Sequence, residues 1–318
     1  KTRLYFRQTG CIAGSFASLP SFVLKLFDGI NSFTFLAIPF FILAGEVMNK
    51  TNITGNLIKF VNIVFGRFRG ALAQANVYAS LLFAGLTGAA ISDVSALGSI
   101  FIPAMHEQGY KKSFAAAITA TTSVVGPIIP PSIVMVMYGG ITGESIGALF
   151  IGAIIPGILV GLGQSVMVGF MARKHDYPKF DIDVTFKEFM IAFRDALVAI
   201  IMPFIIIGGI LLGVFTPTEA AAVAVAYALI LGFLLYRSIN LRDLYEMFAK
   251  TVRTSGTLFF IIAMAKILSW IVARTNLPGI LAEFLLTAGA GNPTLAFLYI
   301  IIFLLFMGTW METGASVV

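Results

Sequence analysis

Long apolar runs, two of them interrupted by glycine, proline, aspartate and hydroxyl residues, constrain what this chain can fold into more than any other feature. About 20 apolar residues span the hydrocarbon core of a bilayer as a helix, and runs of that kind lie at 33–49, 145–172, 196–213, 217–236 and 255–273. Of the 318 residues, 58% are hydrophobic and 11% charged, so the solvent is lipid. The apolar residues come in continuous stretches and not in short alternating segments, which argues against a transmembrane β-barrel. The expected fold class is an all-α integral membrane protein. A single cysteine, Cys11, leaves no intrachain disulfide or multi-cysteine metal site, and two histidines leave little metal chemistry. The net charge of +6 sits in short loops and reports topology, not nucleic-acid binding. With Lys1-Thr2-Arg3 at one end and Val318 inside an apolar run at the other, the chain is expected to be a piece of a longer one.

Residues 70–105 and 112–138 are apolar yet broken in their middles, which predicts discontinuous helices. Amphipathic stretches at 54–65 and 241–251 are expected at the interface as lateral arms, or as plain connecting helices. Basic residues cluster in three places: Lys50 to Lys112, Arg173 to Arg194, and Arg237 to Arg253. These connections are predicted cytoplasmic, and 139–144 and 214–218, which lack Lys and Arg, face outward. Both ends of 70–105 then lie on the basic side, so that segment is expected to be a re-entrant hairpin. Lys1, Arg3, Arg7 and Lys25 precede a span predicted to start outside, against the charge rule.

The chain repeats itself. Phe40-Phe41-Ile42-Leu43-Ala44 returns 219 positions later as Phe259-Phe260-Ile261-Ile262-Ala263. The segment starting Thr51-Asn52-Ile53-Thr54-Gly55 shares five of ten residues with the one starting Thr275-Asn276-Leu277-Pro278-Gly279. Asp93 and Glu312 are again 219 positions apart. An odd number of crossings separates the copies, so the repeat is inverted, the plan of secondary transporters whose sites lie near the midplane.

In Thr87-Gly88-Ala89-Ala90-Ile91-Ser92-Asp93, hydroxyls and a carboxylate sit at the predicted hairpin tip. Non-helical backbone at membrane depth needs partners from protein or a cavity. Carbonyl oxygens with an Asp suit a small hard cation such as Na⁺, and half-helix N-termini suit a substrate carboxylate. The plainer reading makes Asp93 a cap of the returning helix. In Gly126-Pro127-Ile128-Ile129-Pro130-Pro131-Ser132 the prolines stop the helical ladder, which is expected to leave the carbonyls of about Ser123 to Gly126 unpaired for a cation. Ser132 could turn its hydroxyl to a substrate oxygen. Gly308-Thr309-Trp310-Met311-Glu312-Thr313-Gly314 reads as the matching second tip, with Gly308, Glu312 and Thr313 as a second ion or substrate locus.

Other motifs read more blandly. Thr216-Pro217-Thr218-Glu219 has the spacing of a capping box. Glu46 is expected to reach the interface, Lys266 to snorkel or pair with a carboxylate, and Asn52-Ile53-Thr54 is a glycosylation sequon on the wrong side. Gly143-Glu144-Ser145-Ile146-Gly147 matches the hydrolase elbow pattern, but no strand precedes it and His106 and His175 are predicted to face the other side, so Ser145 reads as a helix cap.

The chain resembles the large (M-type) membrane subunit of TRAP transporters, the tripartite ATP-independent periplasmic family. The resemblance rests on Ala37-Ile38-Pro39-Phe40-Phe41-Ile42-Leu43-Ala44-Gly45, the tip from Thr87 to Gly98, Gly126 to Ser132, and Thr216-Pro217-Thr218-Glu219-Ala220-Ala221-Ala222. It implies an elevator mechanism coupled to Na⁺ in the bacterial inner membrane, with no enzymatic activity and no organic cofactor. It implies a small four-helix membrane subunit and a periplasmic solute-binding protein as partners, and a C4-dicarboxylate or sialic-acid-like substrate. By position it implies Thr87, Gly88, Ser92, Asp93 and Gly126 as a Na⁺ site and Ser92, Ser132 and Glu312 toward substrate. The expected division is 1–69 scaffold span and arm, 70–144 transport-domain hairpin and broken helix, 145–254 connecting and scaffold spans, 255–290 second scaffold span and arm, and 291–318 the start of a second hairpin. The family tip usually reads Ser-Gly-Ser where this chain has Thr87-Gly88-Ala89, and Asp is common where Glu312 stands. A stand-alone Na⁺/carboxylate symporter is the alternative, and a membrane serine hydrolase the more distant one.

Overall fold

The computed structural model describes residues 19–51, 53–66, 69–177, 185–288, 292–311 and 316–317, and among them every regular element is a helix. Among the described residues, five helical segments are long and apolar enough to cross a membrane: Phe33–Lys50, Ile146–Lys174, Phe186–Leu211, Pro217–Leu235 and Leu241–Arg274. They overlap the runs read from the sequence, because the length of an apolar run and its solvent are the same constraint, although Phe186–Leu211 and Leu241–Arg274 begin ten and fourteen residues before their runs.

The chain divides into two compact units, 33–255 and a second made of its first 32 residues with 256–318. In the larger unit a 3₁₀ turn, Phe33–Leu36, leads into α2, Ala37–Lys50, numbered after α1, Leu19–Ile30, of the other unit. Then come α3, Ile53–Phe65; α4, Ala71–Thr87; α5, Ala90–Glu107; α6, Lys112–Thr122; and α7, Ile133–Thr142. The long helices α8, Ile146–Lys174, α9, Phe186–Leu211, and α10, Pro217–Ile230, follow, and α11, Leu241–Arg274, begins here and crosses into the smaller unit.

Helices α4 and α5 form the helical hairpin expected for 70–105, joined by Gly88 and Ala89 alone. Gly88 closes α4 with φ +59°, a left-handed conformation that side chains disfavour. Helices α6 and α7 are the expected broken helix, parted by the short 3₁₀ turn Ser123–Val125 and the proline segment. Helix α10 pairs with α2 and α9 with α3, while α4 packs on α3, α5, α6 and α8. Thr216 opens α10 with the capping box its sequence predicts: its hydroxyl accepts from Glu219 N at 3.3 Å, and Glu219 Oε2 accepts from Thr216 N at 2.8 Å.

One expectation changes. The amphipathic stretch 241–251 is no separate arm but the first three turns of the 34-residue α11. At about 1.5 Å per residue that helix is roughly 50 Å long, well beyond a bilayer core. Its polar start is held to the end of α2 by two ion pairs, Lys50–Asp243 at 2.9 Å and Lys250–Glu46 at 2.8 Å. In the smaller unit, α1 lies against α11 at Gly29, where a Cβ would meet Lys266 Cβ at 2.8 Å. After α11 come α12, Leu277–Ala288, and α13, Pro293–Gly308.

Candidate functional site

The hairpin tip and the helix break, far apart in sequence, meet. A Cβ on Gly88 would lie 2.6 Å from the Pro131 carbonyl oxygen and 3.2 Å from Ile133 N, so the tip rests on the start of α7. A Cβ on Gly126 would lie 2.5 Å from Asp93 Oδ2 and 3.3 Å from Ala90 N. Both contacts require the absence of a side chain, which explains glycine at each place.

Asp93 sits in the first turn of α5 and is completely buried. Its Oδ1 accepts a hydrogen bond from the Thr87 hydroxyl, while Oδ2 has no hydrogen-bond partner among the described residues. A buried carboxylate oxygen without a partner is costly unless it is protonated or meets a ligand. Thr87 and Gly88 are buried beside it, and Ser92 is half-buried on the same turn. No group of three or more His, Cys, Asp or Glu residues is arranged to hold a metal among the described residues. A single carboxylate among hydroxyl and carbonyl oxygens instead fits a weakly held hard cation.

The break corrects part of the expectation about its carbonyls. Ser123 O accepts from Gly126 N at 3.0 Å, and Val125 O accepts from Ile128 N and Ile129 N at 3.0 and 2.9 Å. The chain tightens into a 3₁₀ turn before the prolines and so satisfies those oxygens itself. Ser132 is also engaged: its hydroxyl donates to Pro127 O at 2.6 Å and accepts from Met135 N at 3.4 Å, capping α7 from a fully buried position. Gly308 ends α13 in the smaller unit, while Glu312 and Thr313 lie outside the described residues.

A buried polar ladder below the tip was not singled out from the sequence. Asn76 Nδ2 donates to Thr119 Oγ1 at 2.7 Å, Ser80 Oγ donates to Thr122 Oγ1 at 3.0 Å, and Ser123 Oγ donates to Thr119 O at 2.8 Å. The signal was available: Asn76, Ser80 and Thr87 have the spacing of a single helix face. Ser145 is the N-cap of α8, accepting from Ala148 N at 3.3 Å, and His175 caps the other end of that 29-residue helix, so the two do not form a hydrolase pair.

A helical hairpin seated on a discontinuous helix, with a buried carboxylate between them, fits the architecture of secondary membrane transporters. Comparison with known proteins narrows this. The profile of the tripartite ATP-independent periplasmic transporter, DctM component, matches residues 11–318, and the chain belongs to that family. It is 40% identical over 294 residues to the sialic acid TRAP transporter large permease protein SiaM of Vibrio cholerae, covering 92% of this chain and 68% of the relative. It is 37% identical over 300 residues to the C4-dicarboxylate TRAP transporter large permease protein DctM of Pseudomonas aeruginosa, covering 94% and 70%. With the isethionate TRAP transporter permease protein DctMQ of Oleidesulfovibrio alaskensis it shares 36% identity over 293 residues, covering 92% of this chain and 46% of the relative.

Proposed function

We propose that this chain is the translocating part of a Na⁺-coupled, binding-protein-dependent transporter that imports a small organic acid across a bacterial inner membrane. Relatives named for sialic acid, C4-dicarboxylate and isethionate share an acidic group on a compact polar body, and that chemistry is assigned to the substrate. The observation that carries the ion coupling is Asp93: fully buried, one oxygen held by Thr87, the other unpartnered and facing Gly126. Na⁺ is held by Asp93 with oxygen atoms of Thr87, Gly88, Ser92 and Gly126. Substrate lies toward Ser92, and by the repeat Gly308, Glu312 and Thr313 are assigned to a second ion. Ser132 shapes the substrate side by fixing the start of α7.

The inverted repeat has local support. Thr51 Oγ1 donates to Met48 O at 2.7 Å at the end of α2, and Thr275 Oγ1 donates to Val272 O at 2.9 Å at the end of α11, so the matched threonines make the same bond in both copies. A small membrane subunit and a soluble periplasmic protein complete the assembly, and an elevator movement of the hairpin and broken helix past α2 and α9 carries substrate across.

The test is uptake by the full-length subunit with its partners in proteoliposomes. Na⁺-driven uptake is expected only when the binding protein is present, and Asp93→Asn is expected to reduce it to background while the purified complex stays intact. Undiminished Na⁺ dependence in Asp93→Asn would remove the ion site, and uptake without any binding protein would favour the stand-alone symporter.

A further inference from the structure

Thr119 is the centre of the buried polar ladder below the tip, and it is itself completely buried. Its Oγ1 accepts from Asn76 Nδ2 at 2.7 Å and donates to Ala115 O at 2.8 Å, which pins α4 to α6 at one register. Its methyl group meets the other arm of the hairpin, where a Cβ on Gly98 of α5 would lie 3.5 Å from Thr119 Cγ2. Its backbone oxygen accepts from Ser123 N, from Ser123 Oγ at 2.8 Å and from Thr122 Oγ1 at 3.2 Å. Thr122 Oγ1 in turn accepts from Ser80 Oγ at 3.0 Å. One threonine thus holds both arms of the hairpin and the start of the 3₁₀ turn.

Two separate stretches of backbone lead from the ladder to Asp93. On α4, Ser80 precedes Thr87 by seven residues, about 10 Å of helix, and the Thr87 hydroxyl bonds Asp93. On the broken helix, Thr122 precedes Gly126 by four residues, and the bond from Gly126 N to Ser123 O at 3.0 Å closes that stretch. Gly126 is the residue that faces Asp93 Oδ2. A slip between α4 and α6 at the ladder would therefore change the gap between the Thr87–Asp93 pair and Gly126. As packing alone the ladder is a poor choice. Asn76 is completely buried, yet its Oδ1 has no hydrogen-bond partner among the described residues, which is less stable than an apolar pair of the same shape.

We propose that Asn76, Ser80, Thr119 and Thr122 are positioning residues for the coupling cation: they fix the gap between the Thr87–Asp93 pair and Gly126, and with it the preference for Na⁺ over the smaller Li⁺. They act through Thr87, Asp93 and Gly126 and do not touch the ion. Selectivity among hard cations depends on cavity size and on how rigidly the oxygens are held. Residues that orient ligands from behind set metal affinity by roughly ten- to hundredfold. The inference rests on the reading of Asp93 as an ion ligand.

The full-length subunit is tested with Na⁺ and with Li⁺, reading ion affinity from ion-dependent thermal stabilisation of the purified protein and substrate KM from uptake with its partners in proteoliposomes. Thr119→Val keeps the shape and removes the hydroxyl, Ser80→Ala cuts the second rung, and Thr119→Ser keeps the hydroxyl. In the double variant Ser80→Ala with Thr119→Val, Na⁺ affinity is expected to fall about tenfold and the Na⁺/Li⁺ affinity ratio to move toward one by about threefold or more. Substrate KM at saturating Na⁺ is expected to change less than about twofold, and Thr119→Ser to bind both ions within about twofold of the native protein. A lower melting temperature without ions, together with an unchanged Na⁺/Li⁺ ratio, makes the ladder a packing feature and overturns the proposal. A Thr119→Ser protein that behaves like Thr119→Val overturns it too. If the double variant does not fold, Ser80→Ala alone carries the same ratio test, and an unchanged ratio there is equally fatal. Asp93→Asn separates the two ideas: Na⁺ stabilisation that survives it removes the ion site itself. Stabilisation that is lost in Asp93→Asn, while the ladder variants bind both ions as the native protein does, removes only the role of the ladder.

Discussion

A methyl group is all that separates Gly126 from alanine, and at that position it would meet Asp93 Oδ2 at 2.5 Å. The methyl would displace the carboxylate or occupy the space left for a cation. Gly126→Ala is therefore expected to weaken Na⁺ binding by about tenfold or more, equivalent to roughly 1.4 kcal/mol, with helical content unchanged. Na⁺-dependent thermal stabilisation of the purified protein measures this directly, because a ligand that binds only the folded state raises its melting temperature. An unchanged stabilisation curve would show that the ion does not use this space. Asp93 itself was readable from the sequence, since an intramembrane carboxylate is rarely retained without a use. Its orientation was not, because nothing local says which of its oxygens Thr87 takes.

At the scale of elements, the broken helix shows how a chain resolves a polar backbone in an apolar setting. Three prolines between Gly126 and Ser132 withdraw N–H donors, and the chain answers with a 3₁₀ turn before the break and a serine cap after it. Ser132→Ala removes both the hydroxyl bond to Pro127 O and the cap on Met135 N. The expected loss is about 1–2 kcal/mol of stability. It is to be read as a lower melting temperature, with a smaller change in substrate affinity than Asp93→Asn produces in ion dependence. A large affinity loss with an unchanged melting temperature would instead make Ser132 a direct substrate ligand. Hairpin and break were both legible as interruptions in apolar runs. Their contact was not, because it joins residues with no periodic relation, and the early 3₁₀ turn depends on local hydrogen-bond competition that composition does not reveal.

At the scale of the whole molecule, the double ion pair between α2 and α11 joins residues about 200 positions apart. Glu46 is only 12% exposed at its side chain and receives Lys250 Nζ at 2.8 Å on both carboxylate oxygens. Removing Lys250 leaves Glu46 largely buried and unpaired, and a lysine at position 46 would face Lys250 with like charge. Glu46→Lys is expected to lower the melting temperature in detergent, and the exchange Glu46→Lys with Lys250→Glu to recover most of it; failure of the exchange to recover would show that the pair is incidental to packing. The sequence read Glu46 as reaching the interface and left its partner open, and it split α11 where a polar stretch gives way to an apolar one. By itself the sequence determined the solvent, the helical class, the places of the spans and interruptions, and the family, because these follow from run length, composition and short contiguous motifs. Only the tertiary structure decided that the tip rests on the break, that Asp93 keeps one oxygen unpaired, and that Gln74 of α4 bonds Ser165 of α8. Those outcomes depend on side-chain contacts between distant segments, and in a chain where nearly every helix is apolar all round, hydrophobic pattern alone cannot choose which faces meet.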